Sequence, residues 1–156
     1  MKYNFRPTTK IHCSVSAYTN YDAIIAQLKQ EIQAKSMNVI TIENYPIVNE
    51  QEIKTSLIDR LSPQLIVHTD DILIDRAQLE TRIAGNLTQD RVYGVMSHHQ
   101  FKDFIDPAKL KQVQAAIALA VASNELVVIY GVGASLVTPS DLLIYADLSR
   151  SEIQTR

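Results

Sequence analysis

Residues 126–137 read LVVIYGVGASLV, an apolar, β-branched run that passes straight into Gly-Val-Gly. A loop of this kind behind a strand can present backbone N–H groups to an anion, because glycine tolerates positive φ and lets another group approach the main chain. The chain has only four glycines, and Gly131 and Gly133 are two of them. With Ala134 and Ser135 they form the first candidate site, a turn that would hold a phosphorylated small molecule. The parts needed for nucleotide hydrolysis are missing. A Walker A loop needs G-x-x-x-x-G-K-[ST]; counted from Gly131, Leu136 and Val137 stand where the second glycine and the lysine belong. Counted from Gly133, those places hold Thr138 and Pro139, and no lysine follows Lys111. The dinucleotide pattern G-x-G-x-x-G fails at Leu136 as well. The next strand is expected near Leu142, which leaves about eight residues after Gly133, short of the roughly 11 of an average helix. No helix dipole would then stand behind the loop. Two readings stay open: a structural turn between strands, and a weakened anion site.

Other residue types suggest other chemistry. His68, Asp70 and Asp71 lie in VHTDD, just past the end of a predicted strand. Sites in open α/β sheets gather at the carboxyl ends of strands, and a histidine with two carboxylates is equipped for proton transfer or metal binding. Turn formation and helix capping by the same residues is the competing reading. His98 and His99 are neighbours in MSHHQF; on a strand they would point to opposite faces, so a solvated loop pair is expected. Asp141 and Asp147 flank LLIYA, where a strand ending in Asp has the shape of a magnesium-holding carboxylate. Without the lysine of a P-loop, N-capping by Asp147 is the simpler expectation. His12 has no evident partner, and Cys13 in a predicted strand reads as a small buried hydrophobe. GVGASLV is not a G-x-S-x-G nucleophile elbow. No catalytic residue and no metal ligand is assigned.

The elements that must position these residues alternate along the chain. KIHCSV reads as a first strand, NVITIEN as a second, LIVH as a third and buried one, ELVVIYG as a central one and DLLIYAD as the last. RVYGVM is either a short strand or an extended loop. Between them, YDAIIAQLKQEIQAK places Ile24, Ile25, Leu28 and Ile32 on one face behind an Asn20 N-cap. NEQEIKTSLIDRLSP begins at Asn49 with Glu52 three residues on, the spacing of a capping box, and stops at Pro63. Asp75 starts a further helix with Leu79 and Ile83 facing inward, ended by Gly85 and Asn86. FIDPAKLKQVQAAIALAVAS is the clearest helix, with Asp106 as N-cap, Pro107 at the first position and Leu110, Val113, Ile117 and Val121 along one face. This order predicts a single α/β domain over 1–156, with a mostly parallel five- or six-stranded sheet and helices on both faces.

Composition narrows the function classes. Apolar residues make up 46% and charged residues 21% of 156 residues, the balance of a globular domain of ordinary size. A net charge of -2, 6% aromatics and no Trp argue against a nucleic-acid partner. One cysteine excludes an internal disulfide framework. No apolar leader and no run of about 18 apolar residues occurs, so neither secretion nor a membrane span is expected, and the cytoplasm is the expected location.

DRVYGVMSHHQFKDFIDPAKL, LVVIYGVGASLV and DLLIYADLSRSEIQTR, in that order and spacing, resemble the N-terminal region of multidomain proteins of the class I mannose-6-phosphate isomerase family. There an α/β domain reminiscent of nucleotide kinases precedes a cupin-type isomerase domain. The resemblance runs from about Ile11 to the end and is strongest from Asp90 onward. It implies a degenerate P-loop or uridine-kinase-like fold and the N-terminal fragment of a longer chain. It also implies an accessory or regulatory role in sugar-phosphate metabolism beside the cupin domain, which would be the partner and would hold the zinc. The matching positions are Gly131, Gly133, Ala134, Ser135, Asp141, Asp147, Arg150 and Glu152. Ser151 departs from the pattern, since a large aromatic is expected there. The alternative is a kinase-like domain that binds a nucleotide or phosphorylated sugar at Gly131–Ser135 and Asp147, and a homodimer remains an open expectation.

Overall fold

The computed structural model describes residues 8, 10 and 17–155. The strand expected at KIHCSV, with His12 and Cys13, therefore lies outside the described residues apart from Lys10. Helix α1 (Tyr21–Lys35) starts where expected: the Asn20 side chain accepts from the Ala23 N–H, and Ser36 in the left-handed region ends the helix. Strand β1 (Val39–Asn44) follows. A continuous helical stretch comes next, as α2 (Glu50–Ile53), a π turn (Lys54–Ile58) and α3 (Asp59–Leu61). Asn49 caps it through the Glu52 N–H. Only half of the expected capping box is seen, because the Glu52 carboxylate accepts from the Tyr21 hydroxyl at 3.0 Å. Strand β2 (Leu65–His68) runs into a 3-10 turn (Thr69–Ile72), and α4 (Arg76–Ile83) has a complete capping box between Asp75 and Gln78. Helix α5 (Pro107–Ala122) begins with Asp106 accepting from the Ala108 and Lys109 N–H groups. Strand β3 (Val127–Gly131), a single 3-10 turn (Ala134–Leu136), β4 (Leu142–Ala146) and α6 (Arg150–Thr155) complete the order.

The strands form one parallel sheet in the order β2-β3-β1-β4. Side chains alternate across it, so β1 and β3 feed two cores. Ile40, Ile42, Val128 and Tyr130 pack with Ile25, Ile53, Leu57, Ile58 and Leu61 under α1 and α2–α3. Val39, Val127 and Ile129 pack on the other face with Val67, Ile72, Ile117 and Ala120, beneath α5. Complete burial of an isoleucine such as Ile129 contributes about 1.5–3 kcal/mol. Among the described residues no helix is long and apolar enough to cross a membrane.

Several expectations change. The described residues form four strands, against five or six expected. RVYGVM takes the loop alternative: Asp90 accepts from the Val92 and Tyr93 N–H groups, which bends the chain locally, and both residues are exposed. Strand β2 is an edge strand rather than a buried one among the described residues, and Ile66 is exposed. Helix α4 buries no residue, so Leu79 and Ile83 are not core. On α5 the small Ala120 takes the buried place expected for Val121, which is partly exposed.

Candidate functional site

The Gly-rich turn follows the strand β3, where sequence placed it, but its N–H groups are engaged from within. The Gly133 N–H donates to Glu43 Oε1 at 2.6 Å and the Ser135 N–H to Glu43 Oε2 at 2.8 Å. Glu43 lies on β1 opposite Gly131, and its side chain projects to the face where Ala134 is buried. A carboxylate of the chain itself thus stands where the anion-site reading placed a phosphate. Two close approaches explain the glycines. Gly131 has φ 120, and a Cβ there would meet the Thr69 side chain. Gly133 has φ 78, and a Cβ there would meet the Phe101 ring. Behind the turn stands only the 3-10 segment Ala134–Leu136, too short for an aligned dipole.

On the opposite face, the ends of β1, β2 and β3 assemble a second group. His68 Nε2 lies 3.0 Å from Glu50 Oε2, and Asn44 Nδ2 donates to Glu50 Oε1 at 3.1 Å. The Asp70 N–H donates to His68 Nδ1 at 3.4 Å, so both ring nitrogens have a partner. The Asp70 carboxylate is 3.5 Å from the same Nδ1, so His68 and Asp70 do come together. The pair does not extend to Asp71, which is exposed on the 3-10 turn. The His68 ring packs on Tyr130 with centroids 4.6 Å apart. Burial, and after it the charge of Glu50, pushes the Tyr130 hydroxyl above its ordinary pKa. Asn44 is 2% exposed, and its Oδ1 has no hydrogen-bond partner among the described residues. This cluster sets a histidine within hydrogen-bonding distance of a carboxylate, the pairing that proton exchange needs. Among the described residues no group of three or more His, Cys, Asp or Glu is placed to hold a metal.

A cleft of about 410 Å³ opens at the carboxyl ends of β1 and β4, between α1, α2 and α6. Ile24, Ile42, Ile53, Leu57, Ile144 and Leu148 wall it, and Glu52, Asp147 and Glu152 supply its charges. Asp147 therefore belongs to this cleft, which none of Gly131–Ser135 lines. Its side chain accepts from the Leu148 N–H, and the cap of α6 falls to Ser149, whose hydroxyl accepts from the Glu152 N–H. Asp141 is far from any site chemistry. At the amino end of the sheet it accepts from the Asn38 and Val39 N–H groups and ties β4 to β1. His98 and His99 are both exposed; His99 contacts the Ser97 hydroxyl at 2.8 Å and stacks toward Phe104.

Glu43, Asn44, Glu50 and Tyr130 were not anticipated from sequence. A signal for the first was present, because an acid inside the run VITIEN must find donors when its neighbours are buried. The signal for Glu50 was its place behind β1, in a strand–loop–helix unit whose loop, residues 45–49, has no glycine.

Residues 20–156 match the family model described as Domain of unknown function (DUF8485), and the chain belongs to that family. No curated protein and no solved structure matches it.

Proposed function

For this member of DUF8485 we propose a non-catalytic role: an accessory or regulatory domain that works beside the catalytic cupin-type domain of a sugar-phosphate isomerase. The reading includes the kinase-like plan of five or six strands with a degenerate phosphate loop, a zinc ion confined to the cupin domain, and a cytoplasmic setting. The observation that carries it is the Glu43 carboxylate on the Gly133 and Ser135 N–H groups. An incoming phosphate would have to displace an anion already bonded there, with no lysine after Lys111 to compensate. The strand–loop–helix unit behind β1 supports the same reading. Its helical stretch opens with Glu50, a carboxylate where a phosphate-binding loop needs room for an anion. The resemblance at Gly131–Ser135, Asp141, Asp147, Arg150 and Glu152 supplies the enzyme class.

Thermal unfolding with ATP, UTP and mannose 6-phosphate tests the non-catalytic, non-phosphate part. A ligand at 100 times its Kd stabilises by about 2.7 kcal/mol, so a clear upward shift in Tm with any of them overturns it. The accessory part is tested on a protein that joins this domain to a cupin isomerase domain. Isomerase rate or oligomer size should differ from that of the cupin domain alone, and identical values discard the idea.

A further inference from the structure

We propose that the outer edge of β4 is the docking site of this chain's own N-terminal segment, the run KIHCSV at residues 10–15, which adds to the sheet there as a parallel strand. The proposal rests on the reading of a fifth strand and not on the accessory role, and its test reads strand position alone. Among the described residues β4 ends the sheet order, so its outward N–H and C=O groups have no strand beside them. Its run LLIYA holds none of the lysines or prolines that commonly blunt an open edge. An apolar row of unpaired backbone groups is where an extended segment adds to a sheet.

The hand of the crossovers selects this edge. From β1 the chain crosses to β2 over the face of α2–α3, moving away from β4. It returns to β3 over the opposite face, beneath α5, and continues past β1 to β4 with Ala134 and Val137 buried on that same face. All three crossovers turn in one sense, as parallel connections within a sheet nearly always do. Helix α1 packs on the face of α2–α3, in one core with Leu142 and Ile144 of β4. A strand that feeds β1 through α1 with the same hand must come from the β4 side. β4 already holds the place beside β1, so the place left lies beyond β4. Direction agrees. Tyr21, at the start of α1, lines the same cleft as Ala146 at the end of β4, so a strand leading into α1 finishes at the carboxyl end of the sheet. Residues 16–20 bridge the step, since five residues reach up to roughly 17 Å and neighbouring strands lie about 4.8 Å apart. The residue pattern suits one covered and one open face. Ile11, Cys13 and Val15 alternate with Lys10, His12 and Ser14. Docking turns the apolar set toward α1 beside Ile144, and the polar set to the face where Leu143 and Tyr145 meet water.

Cys13 is the one cysteine of the sequence, so a nitroxide attached to it reports where the segment lies in the isotopically labelled 156-residue chain. Amide NMR signals should broaden most in β4 and then, in falling order, in β1, β3 and β2. The pattern should persist when that chain is diluted with an excess of unlabelled, unmodified chain, as contact within one molecule requires. A second measurement needs no probe. An edge strand turns every other N–H outward, so on an open β4 alternate amides of residues 142–146 exchange fast with solvent. Beneath a docked segment all of them should be protected. Broadening that is strongest in β2, or that lacks the falling order, overturns the proposal. Broadening lost on dilution also overturns it and gives the edge to a second copy, and so does alternate fast exchange along β4 in the unmodified chain. Should the nitroxide prevent folding, exchange of the unmodified chain at two protein concentrations decides alone.

Discussion

Single residues account for much of this molecule's economy of polar groups. Glu43 satisfies two backbone donors with one carboxylate, and hydrogen bonds to a charged group contribute more than neutral ones. Glu43→Ala should therefore lower the unfolding free energy by about 1–3 kcal/mol, and Glu43→Gln by less, because the amide oxygen still accepts one bond. Urea unfolding of the two variants checks both size and order. Tyr130 gives a pH prediction. Its pKa is raised in the fold, by burial first and then by Glu50, so the folded state holds that proton more tightly than the unfolded chain. The associated stability is complete below the ordinary value of 10.0 and is lost as pH climbs through the folded value. Urea midpoints measured from neutral pH upward should fall above pH 10.0, and Tyr130→Phe should lessen that fall. What could be read from sequence at this scale was whatever depends on near neighbours. Asn20, Asn49, Asp75 and Asp106 all cap as expected, since each needs only the N–H groups two or three residues on. Glu43 reaches donors 90 and 92 positions away, which no local pattern encodes.

At the scale of elements, strands β1 to β4 were legible from their apolar, β-branched runs, and helices α1 and α5 from a hydrophobic face and an N-cap that agreed. The stretch 50–61 was legible as a helix, whereas its π turn was not. Helix α4 was the misleading one. Its capping box is complete, yet the helix buries nothing, so it is held by its ends rather than by its face. That difference is measurable. Asp75→Ala should speed hydrogen exchange across residues 76–83 while the global unfolding free energy from urea denaturation changes by under about 0.5 kcal/mol, as expected for a region that opens on its own. The same change at Asp106 should act globally and cost about 1 kcal/mol, because α5 carries Ile117 and Ala120 into the core. The site was less legible than the elements. Sequence grouped Asp147 with Gly131–Ser135, but the sheet separates them, and only strand order reveals which loops share a face.

At the scale of the whole molecule, the described residues cover the sheet unevenly. Residues 132–141 carry the chain from β3 past β1 to β4 with only a single 3-10 turn, so among the described residues no helix is laid over β4 on that side. Leu143 and Tyr145 are left 57% and 59% exposed. Leu143→Lys should therefore change stability by under about 0.5 kcal/mol, whereas Ile129→Ala, in a strand buried along its whole length, should cost about 2–5 kcal/mol. Urea unfolding of the two variants side by side measures the contrast. The same link also fixes how the molecule meets the ions around it. The anion on its turn is tethered through the backbone, so its effective concentration there is at least millimolar and does not dilute away. Free phosphate or sulfate would have to displace that tethered carboxylate to reach the Gly133 and Ser135 N–H groups.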